Sequence, residues 1–272
     1  MRFQAGSQGT LPDTQNEVDT RGVVISKVGI KELRFPLLFQ DKADTIQSTV
    51  ATAAMTVSLA ASVRGTHMSR FVESLLENRE KAFSIHNIGA LAQDLRLRLF
   101  AEKAWVQFSF PFFLNKKAPV SQIASLLDYQ VILECEASPS DSQVTTTIVI
   151  PVATLCPCSK GISERGAHNQ RGNVTLTIRC HQGGVWVEDL IGLTEESASC
   201  GLYSLLKRPD EKFVTERAYD NPSFVEDLVR NVTLKLRQKQ EISWFRVEAE
   251  NFESIHNHNA YALVEEFNPK TN

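Results

Sequence analysis

The sequence passes twice through the same order of strands and helices, which leaves few folds open to it. In the first half, apolar and β-branched stretches at 23–39 and 50–63 precede two segments with helical spacing and then two more alternating stretches. Alternation of apolar and polar residues indicates a half-buried strand, whereas apolar residues three and four apart indicate a helix. The first half therefore reads strand, strand, helix, helix, strand, strand.

The second half repeats this order without repeating the residues. Strands at 145–155 and 173–180 are followed by predicted helices at 189–206 and 222–240, and the chain closes with two further strands. Because only the order recurs, the repeat is one of architecture.

Antiparallel strands with two helices on one face form an α+β layer arrangement. We predict two tandem modules of this kind, 23–140 and 141–272, preceded by a flexible polar leader at 1–22. Each module alone would leave strand edges exposed, and joining edges within and between subunits removes that exposure. The sequence therefore favours a barrel-like oligomer.

Composition narrows the class of protein. The 272 residues are 42% hydrophobic and 22% charged, which is typical of a globular protein. The net charge of −3 gives no reason to expect a nucleic-acid or membrane partner, and no apolar run approaches the roughly 20 residues of a membrane helix. The N-terminal residues lack the apolar segment of a signal peptide. Five cysteines, an odd number, argue against a disulfide framework, so we expect a cytoplasmic protein with free thiols.

Reactive side chains concentrate directly after a predicted buried strand. Cys-Pro-Cys-Ser-Lys at 156–160 is followed by Gly-Ala-His-Asn-Gln-Arg at 166–171. Thiolate and imidazole hold transition metals, and a thiolate is also the best side-chain nucleophile at neutral pH. The alternative is structural, since free cysteines also pack as small buried hydrophobes. The C-x-C spacing by itself is weak evidence, because zinc and redox pairs use C-x-x-C.

A second cluster consists of Glu253, His256 and His258. If the two histidines lie on a strand, their side chains share one face, and Glu253 joins them if the chain turns at Ser254. Carboxylate and imidazole are ordinary metal ligands, and Cys156 would complete a mixed set. The alternative is a solvated polar turn before the last strand.

Charged groups elsewhere provide weaker candidates. The basic run after residue 206 suits phosphates, and a carboxylate reads guanine well because it accepts from N1–H and the amino group. Taken alone, such a run is typical of a surface loop. The candidates are Lys207, Arg208, Lys212, Glu216 and Glu226, with His67 and Arg70 after the second strand.

Five segments together carry a family resemblance. They are Cys-Pro-Cys-Ser-Lys, Gly-Ala-His-Asn-Gln-Arg, Gly-Thr-His-Met-Ser-Arg-Phe, Leu-Lys-Arg-Pro-Asp-Glu-Lys and Glu-Ser-Ile-His-Asn-His-Asn-Ala. From about Val24 to Phe267, the chain resembles the prokaryotic type IB GTP cyclohydrolases. The resemblance implies the tunnelling fold, two modules per subunit and a homotetramer. It also implies conversion of GTP and water to 7,8-dihydroneopterin triphosphate and formate, the entry step to folate and, in bacteria, to queuosine.

The resemblance assigns a role to each candidate, mostly in the second module. A divalent metal, Zn, Mn or Fe, would activate the water that attacks C8 of the purine, while His and Cys transfer protons. Glu226 matches the carboxylate that anchors the base, with Glu216 as the competitor. The implied metal ligands are Cys156, Glu211, Glu253 and His256. The implied catalytic residues are Cys156, Cys158, His168 and His258. The implied substrate-binding residues are Glu226, Glu216, His67, Arg70, Lys160, Lys207 and Arg208.

Two other functions remain open at this point. A nitrile reductase of the same fold attacks a cyano-deazaguanine with a thiolate and needs no metal, so the Glu253 and His256 pair counts against it. A non-catalytic zinc-binding module would hold its metal with four protein ligands and would not turn over GTP.

Overall fold

The computed structural model describes residues 13–180 and 184–268. The strands are β1 Ile25–Gln40, β2 Ile46–Leu59, β3 Ala82–Phe83, β4 Ala104–Lys117, β5 Ala124–Ala137, β6 Ser142–Leu155, β7 Asn169–Cys180, β8 Cys200–Gly201, β9 Ile242–Asn251 and β10 Ala260–Phe267. The α-helices are α1 Met68–Glu77, α2 Ile88–Arg98, α3 Pro157–Ile162, α4 Val187–Glu195, α5 Arg208–Asp220 and α6 Val225–Leu236.

The described strands form one sheet in the order β10-β9-β7-β6-β5-β4-β2-β1-β3, with β8 beside β6. All pairs are antiparallel except β1 with β3. The predicted α+β class is therefore confirmed, with the sheet dominant. In both halves the inner strand pair brackets the helices, as β2 pairs with β4 and β7 pairs with β9. The tandem module boundaries and the barrel-like oligomer stay predictions.

One face of the sheet is apolar because its strands alternate. On β2, Ala51, Ala53, Met55 and Val57 are buried while the residues between them are partly exposed. This face packs against helices whose own apolar side chains are buried, such as Leu228 of α6. Among the described residues no helix is long and apolar enough to cross a membrane.

The antiparallel order gathers four connections at one end of the sheet, which we call the upper end. They are residues 41–45, 118–123, 156–168 and 252–259. The lower end carries the connection that leaves β2 after Leu59 and the β5–β6 turn. The upper end therefore receives both sequence clusters described above.

A gap in the sheet opens near the upper end. Residues 124–129 of β5 do not pair with β6, and β8 takes their place beside it, with Gly201 opposite Val152. The Lys116 ammonium donates to Glu195 at 2.7 and 2.8 Å, and the Tyr129 hydroxyl donates to the same carboxylate at 2.7 Å. Burial and the adjacent carboxylate raise the pKa of Tyr129. This polar group ties α4 to β4 and β5, and Lys116 also donates to the carbonyl of Leu202, the residue after β8, at 2.6 Å.

Two helix predictions need correction. The helix predicted at 189–206 ends at Glu195, because the following residues turn back to form β8. The charged run from Lys207 was given as a surface loop, yet α5 begins at Arg208. Pro209 lies in its first turn, where proline is favoured, and the Asp210 side chain caps its start.

The described part of the predicted leader, 13–22, runs beside the loop that follows β2. Val18 forms a bridge with Val63, and the Asp19 N–H donates to the Ser62 carbonyl at 3.0 Å. Residues 1–12, 181–183 and 269–272 lie outside the described residues. The predicted flexibility of the leader is therefore not tested. The same holds for His181, for which the sequence predicts a structural role because no possible partner residue accompanies it.

Asp210 joins the start of α5 to the β4–β5 turn. Its fully buried carboxylate accepts from the Val120 and Ser121 N–H groups, the Ser121 hydroxyl and the Lys207 N–H, at 2.7 to 2.9 Å. Burial opposes ionisation, but these hydrogen bonds outweigh it and hold the pKa of Asp210 well below its usual range. Asp210 therefore fixes where α5 begins.

We expect Asp210→Asn to lower the melting temperature most at neutral pH. A carboxyl whose folded pKa is depressed stabilises the fold above its unfolded pKa, about 3.9, and loses that contribution as the pH falls towards the folded value. The difference between the melting temperatures of wild type and variant should therefore begin to shrink below about pH 4 and become smaller as the pH falls further. Asp220→Asn, at the exposed far end of the same helix, is the control. A constant difference down to the lowest pH would contradict this role.

Candidate active site

Cys156 is placed by the end of β6 and the start of α3. It is the N-cap of that helix, with Pro157 in the first turn, and the Ser159 N–H lies 3.4 Å from its Sγ. Its own N–H donates to the His168 carbonyl at 3.1 Å. The thiol of Cys156 is half-buried, whereas Cys158 on α3 is exposed. The two thiols of this segment therefore have different surroundings.

The three other cysteines are packed within the fold. Burial raises the pKa of Cys135 to about 12 and that of Cys180 to about 11. Burial also raises the pKa of Cys200 on β8. A thiol held protonated is a poor nucleophile and a poor metal ligand. These three cysteines are therefore weaker candidates than Cys156 and Cys158.

His168 belongs to a hydrogen-bonded group that joins the start of β7 to the connection after β9. Its Nδ1 lies 3.0 Å from Gln170 Oε1 and 3.3 Å from Ser254 Oγ. Gln170 Nε2 lies 3.5 Å from Glu253 Oε1. Because β7 is flanked by β6 and β9, residues far apart in sequence meet here. The structure thus brings Cys156, His168 and Glu253 to one site.

His256 and His258 lie in the connection between β9 and β10. The alternative in which both occupy a strand is wrong, because β9 ends at Asn251 and β10 begins at Ala260. Their exposed rings nevertheless stack with centroids 5.1 Å apart and planes at 16°. The chain bends at Ser254, as expected, so that Glu253 and both imidazoles share the upper end.

Glu226 lies in the first turn of α6, which starts at the same end. The Ser223 N–H donates to the Leu155 carbonyl at 3.0 Å, one residue before Cys156. Glu226 is exposed and has no ion pair or hydrogen bond within the described ranges. Its competitor Glu216 lies 3.7 Å from Lys212. A free carboxylate beside the Cys156 loop favours Glu226 as the group for a ligand.

The remaining upper-end candidates lie on or against α5. Lys160 donates to the Tyr219 carbonyl, and its ammonium lies 4.2 Å from the centre of the Tyr219 ring. Lys207 and Arg208 are exposed at the start of the helix, as is Glu211. Glu211 is eight residues from Tyr219, about 12 Å along the helix. Lys160 therefore holds the end of α5, and Glu211 projects from its beginning.

The donor atoms suit a divalent metal. Thiolate, carboxylate and imidazole match Zn, Mn or Fe, and Cys156 and Glu253 lie half-buried around His168. Within 13–180 and 184–268, no three His, Cys, Asp or Glu side chains converge closely enough to hold a metal ion. The exposed side chains of Glu211 and His256 have to turn towards Cys156 and Glu253 to complete the predicted set.

His67 and Arg70 lie at the other end of the sheet. They follow β2, which runs from the upper to the lower end, and they line a surface cavity of about 370 Å³ with Phe100. At about 3.3 Å per residue, the β6 strand alone separates this end from Cys156 by about 40 Å. The structure therefore does not bring His67 and Arg70 to the other candidates within one chain.

Gln170 and Ser159 were not singled out from the sequence. Gln170 occupies the same face of β7 as Val174, Leu176 and Ile178, and is 9% exposed. If the alternation of Val174, Leu176 and Ile178 is extended towards the N-terminus of β7, the Gln170 amide falls on the core face. A buried amide is unusual, so the sequence did point to Gln170. The Ser159 hydroxyl, which accepts from the His168 N–H at 3.0 Å, gave no such signal.

Nearly the whole chain is similar to proteins of one known family. The profile of the family described as type I GTP cyclohydrolase FolE2 matches residues 11–262. GTP cyclohydrolase FolE2 of Akkermansia muciniphila is 54% identical over 257 residues, which cover 94% of this chain and 97% of that protein. GTP cyclohydrolase FolE2 of Thiobacillus denitrificans is 51% identical over 255 residues, 94% of each chain.

A solved structure shares the fold. Uricase from Arthrobacter globiformis superposes with a TM-score of 0.50 at 11% sequence identity, over 90% of this chain and 94% of the uricase chain. At that identity the similarity concerns the arrangement of strands and helices alone.

Proposed function

Since this chain belongs to the type I GTP cyclohydrolase FolE2 family and is an enzyme of that class, we propose that it converts GTP and water to 7,8-dihydroneopterin triphosphate and formate. Further parts of the proposal are that it is of type IB, that it needs a divalent metal ion, and that its product feeds folate and queuosine synthesis. One net water balances the reaction, because C8 of the purine leaves as formate.

The observation that carries the proposal is the grouping at the upper end of the sheet. Cys156, directly after β6, His168, directly before β7, and Glu253, two residues after β9, come together there. Glu226 begins the neighbouring helix with a free carboxylate. A thiol, an imidazole and two carboxylates supply metal ligands, proton transfer and recognition of a base in one place.

The metal would be held by Cys156, Glu211, Glu253 and His256. A divalent ion bound by such ligands acts as a Lewis acid and makes water a better nucleophile at neutral pH. Glu253 enters this set already oriented, because Gln170 donates to its carboxylate. Hydrogen bonds of this kind fix the orientation of a carboxylate that binds a metal.

The other side chains bind substrate and move protons. Glu226 accepts from the guanine N1–H and amino group, which a carboxylate does with both oxygens. Lys207 and Arg208 suit the triphosphate as charged donors. Lys160 is already engaged with Tyr219, and its part in phosphate binding requires that contact to open. The proposed proton carriers are Cys158, His168 and His258.

We also propose a cytoplasmic homotetramer of two-module subunits with the tunnelling fold and with sites completed across subunits. The support is the distance along the sheet between Arg70 and Cys156 within one chain. A neighbouring copy can bring its lower end to this upper end, whereas the same chain cannot. The substrate-binding role of His67 and Arg70 depends on that arrangement.

The decisive measurement is formate release from GTP. Protein stripped of metal should release none, and adding back Zn, Mn or Fe singly should restore turnover with at least one of them. Restored metal without formate would overturn the proposal. Consumption of NADPH with a cyano-deazaguanine would instead identify a nitrile reductase, and stable metal binding without either reaction would identify a binding module.

Subunit mixing tests the shared site. Cys158→Ala and Arg70→Ala subunits should each be inactive, and an equal mixture should regain up to about a quarter of wild-type turnover, because a quarter of the sites then combine two intact contributions. Cys158→Ala mixed with His168→Ala is the matched control, since both residues lie in the 156–168 connection of one chain and no intact site forms. Equal failure of both mixtures would contradict sharing.

A further inference from the structure

Gln170 joins two proposed functional side chains from a buried position. It is 9% exposed and lies on the core face of β7. Its amide oxygen lies 3.0 Å from His168 Nδ1, and its amide nitrogen lies 3.5 Å from Glu253 Oε1. A polar side chain at such a position costs free energy unless its hydrogen bonds are made. Both ends of this amide are engaged with the candidate site.

We propose that Gln170 is a positioning residue that fixes the tautomer of His168, so that the neutral ring carries its proton on Nδ1 and offers Nε2 as a proton acceptor. The inference rests on the proposed function for its chemical consequence. It assigns no direct contact between Gln170 and substrate. His168 remains the residue that touches the reacting atoms.

The direction of each hydrogen bond follows from the orientation of the Gln170 amide. Its NH₂ group, which only donates, faces Glu253 Oε1. Its oxygen faces His168 Nδ1, and a carbonyl oxygen only accepts. His168 Nδ1 must therefore donate. Because a neutral imidazole has a single N–H, Nε2 is left without a proton.

The other contacts of His168 are compatible with this orientation. Ser254 Oγ, 3.3 Å from Nδ1, can accept the same N–H but can also donate, so it does not select a tautomer by itself. Ser159 Oγ and the Cys156 N–H hold the backbone of His168. Gln170 is thus the group that decides which ring nitrogen is protonated.

This arrangement gives His168 a defined task. A ring with Nε2 free takes a proton from water or substrate, whereas the opposite tautomer presents an N–H to the same place. The same amide holds Glu253, so the proposed metal ligand and the proposed base are oriented by one side chain. Loss of such a supporting hydrogen bond typically costs about 10- to 100-fold in activity or metal affinity.

The test reads the tautomer directly. Protein labelled with ¹⁵N only in its histidine rings gives long-range ¹H–¹⁵N spectra in which a protonated and an unprotonated nitrogen differ clearly. His168→Gln identifies the His168 signals among those of the six histidines. At a pH where the ring is neutral, we expect the proton on Nδ1. A proton on Nε2 in the wild-type protein would overturn the proposal.

Two substitutions separate the two ends of the amide. Gln170→Leu removes both hydrogen bonds, so His168 should shift to the Nε2–H form, and kcat should fall by about 10- to 100-fold with the KM for GTP unchanged. Gln170→Glu keeps an acceptor for His168 Nδ1–H but removes the donor to Glu253. It should retain the tautomer while binding metal more weakly. An unchanged tautomer in Gln170→Leu would also overturn the proposal.

A control and a second readout keep the result clear. Gln130 donates to Ser109 on the exposed side of the sheet, so Gln130→Leu should change neither the His168 spectrum nor turnover. If Gln170→Leu does not fold, the spectra of the wild-type protein and of Gln170→Glu still test the proposed tautomer.

The spectra can be recorded whether or not the protein is active. A His168 ring protonated on Nδ1 in a protein that releases no formate would contradict the proposed function alone. A ring protonated on Nε2 in an active enzyme would contradict this inference alone.

Discussion

Cys158→Ala is expected to keep its fold and its metal but to lose turnover by about 10²- to 10⁴-fold, the usual contribution of a proton-transfer group. Cys158 is exposed on α3, so its removal leaves no cavity in the core. Cys156→Ala is expected to lose metal instead. Its half-buried sulfur lies at the N-cap of α3, beside the group that contains His168 and Glu253.

Metal content measured on both purified variants, together with formate release, separates the two roles. Cys200→Ala is a useful reference, because Cys200 is buried on β8 and its loss should lower stability and leave metal content intact. If Cys158→Ala is the variant that comes out without metal, the two assignments are reversed. If both variants merely melt earlier and keep full activity, both thiols are structural.

Glu226→Gln is expected to lower kcat/KM for GTP by about 10⁴-fold, since a site built to hydrogen-bond one edge of a base discriminates strongly when a partner is replaced. The substitution keeps the shape of the side chain but puts a donor where two donors of guanine arrive. Glu226 is exposed in the first turn of α6, so the fold should tolerate the change.

Glu216→Gln is the matched control for this prediction. Glu216 lies on the exposed surface of α5 beside Lys212, so its substitution should change kcat/KM little. Melting temperatures of both variants should stay near the wild-type value. Normal kinetics for Glu226→Gln with a large loss for Glu216→Gln would move recognition of the base to α5.

Local patterns in the sequence predict most of the sheet but not all of the helices. Alternation located β2, β6 and β7, because burial of one face leaves a period of two in the residues. Helix α5 was missed because it is mostly exposed and buries only Asp210 and Ala218, so it has no apolar periodicity. The predicted helix at 189–206 was wrong beyond Glu195. There, pairing of β8 with β6 depends on contacts about fifty residues away, which no local pattern contains.

The site was predictable in its parts and less so in its assembly. Residue chemistry and family resemblance identified Cys156, His168 and Glu253, and the order of strands shows why they meet. The supporting side chains were not found, because their roles depend on partners distant in sequence, as with Gln170 and Glu253. Arg70 lies at the lower end because β2 runs in that direction. The direction of β2 in the sheet depends on strand pairing, which the sequence alone does not reveal.

Because four connections meet at the upper end, the residues that determine the fold are largely separate from the residues of the candidate site. Strand register is set by alternating residues along each ladder, and the connections can change in length and composition without disturbing it. A protein with this sheet can therefore acquire a different activity through changes in the short connections at the upper end, while the sheet itself stays the same. A uricase superposes on this chain at 11% identity, so this arrangement of strands and helices also occurs with a very different sequence.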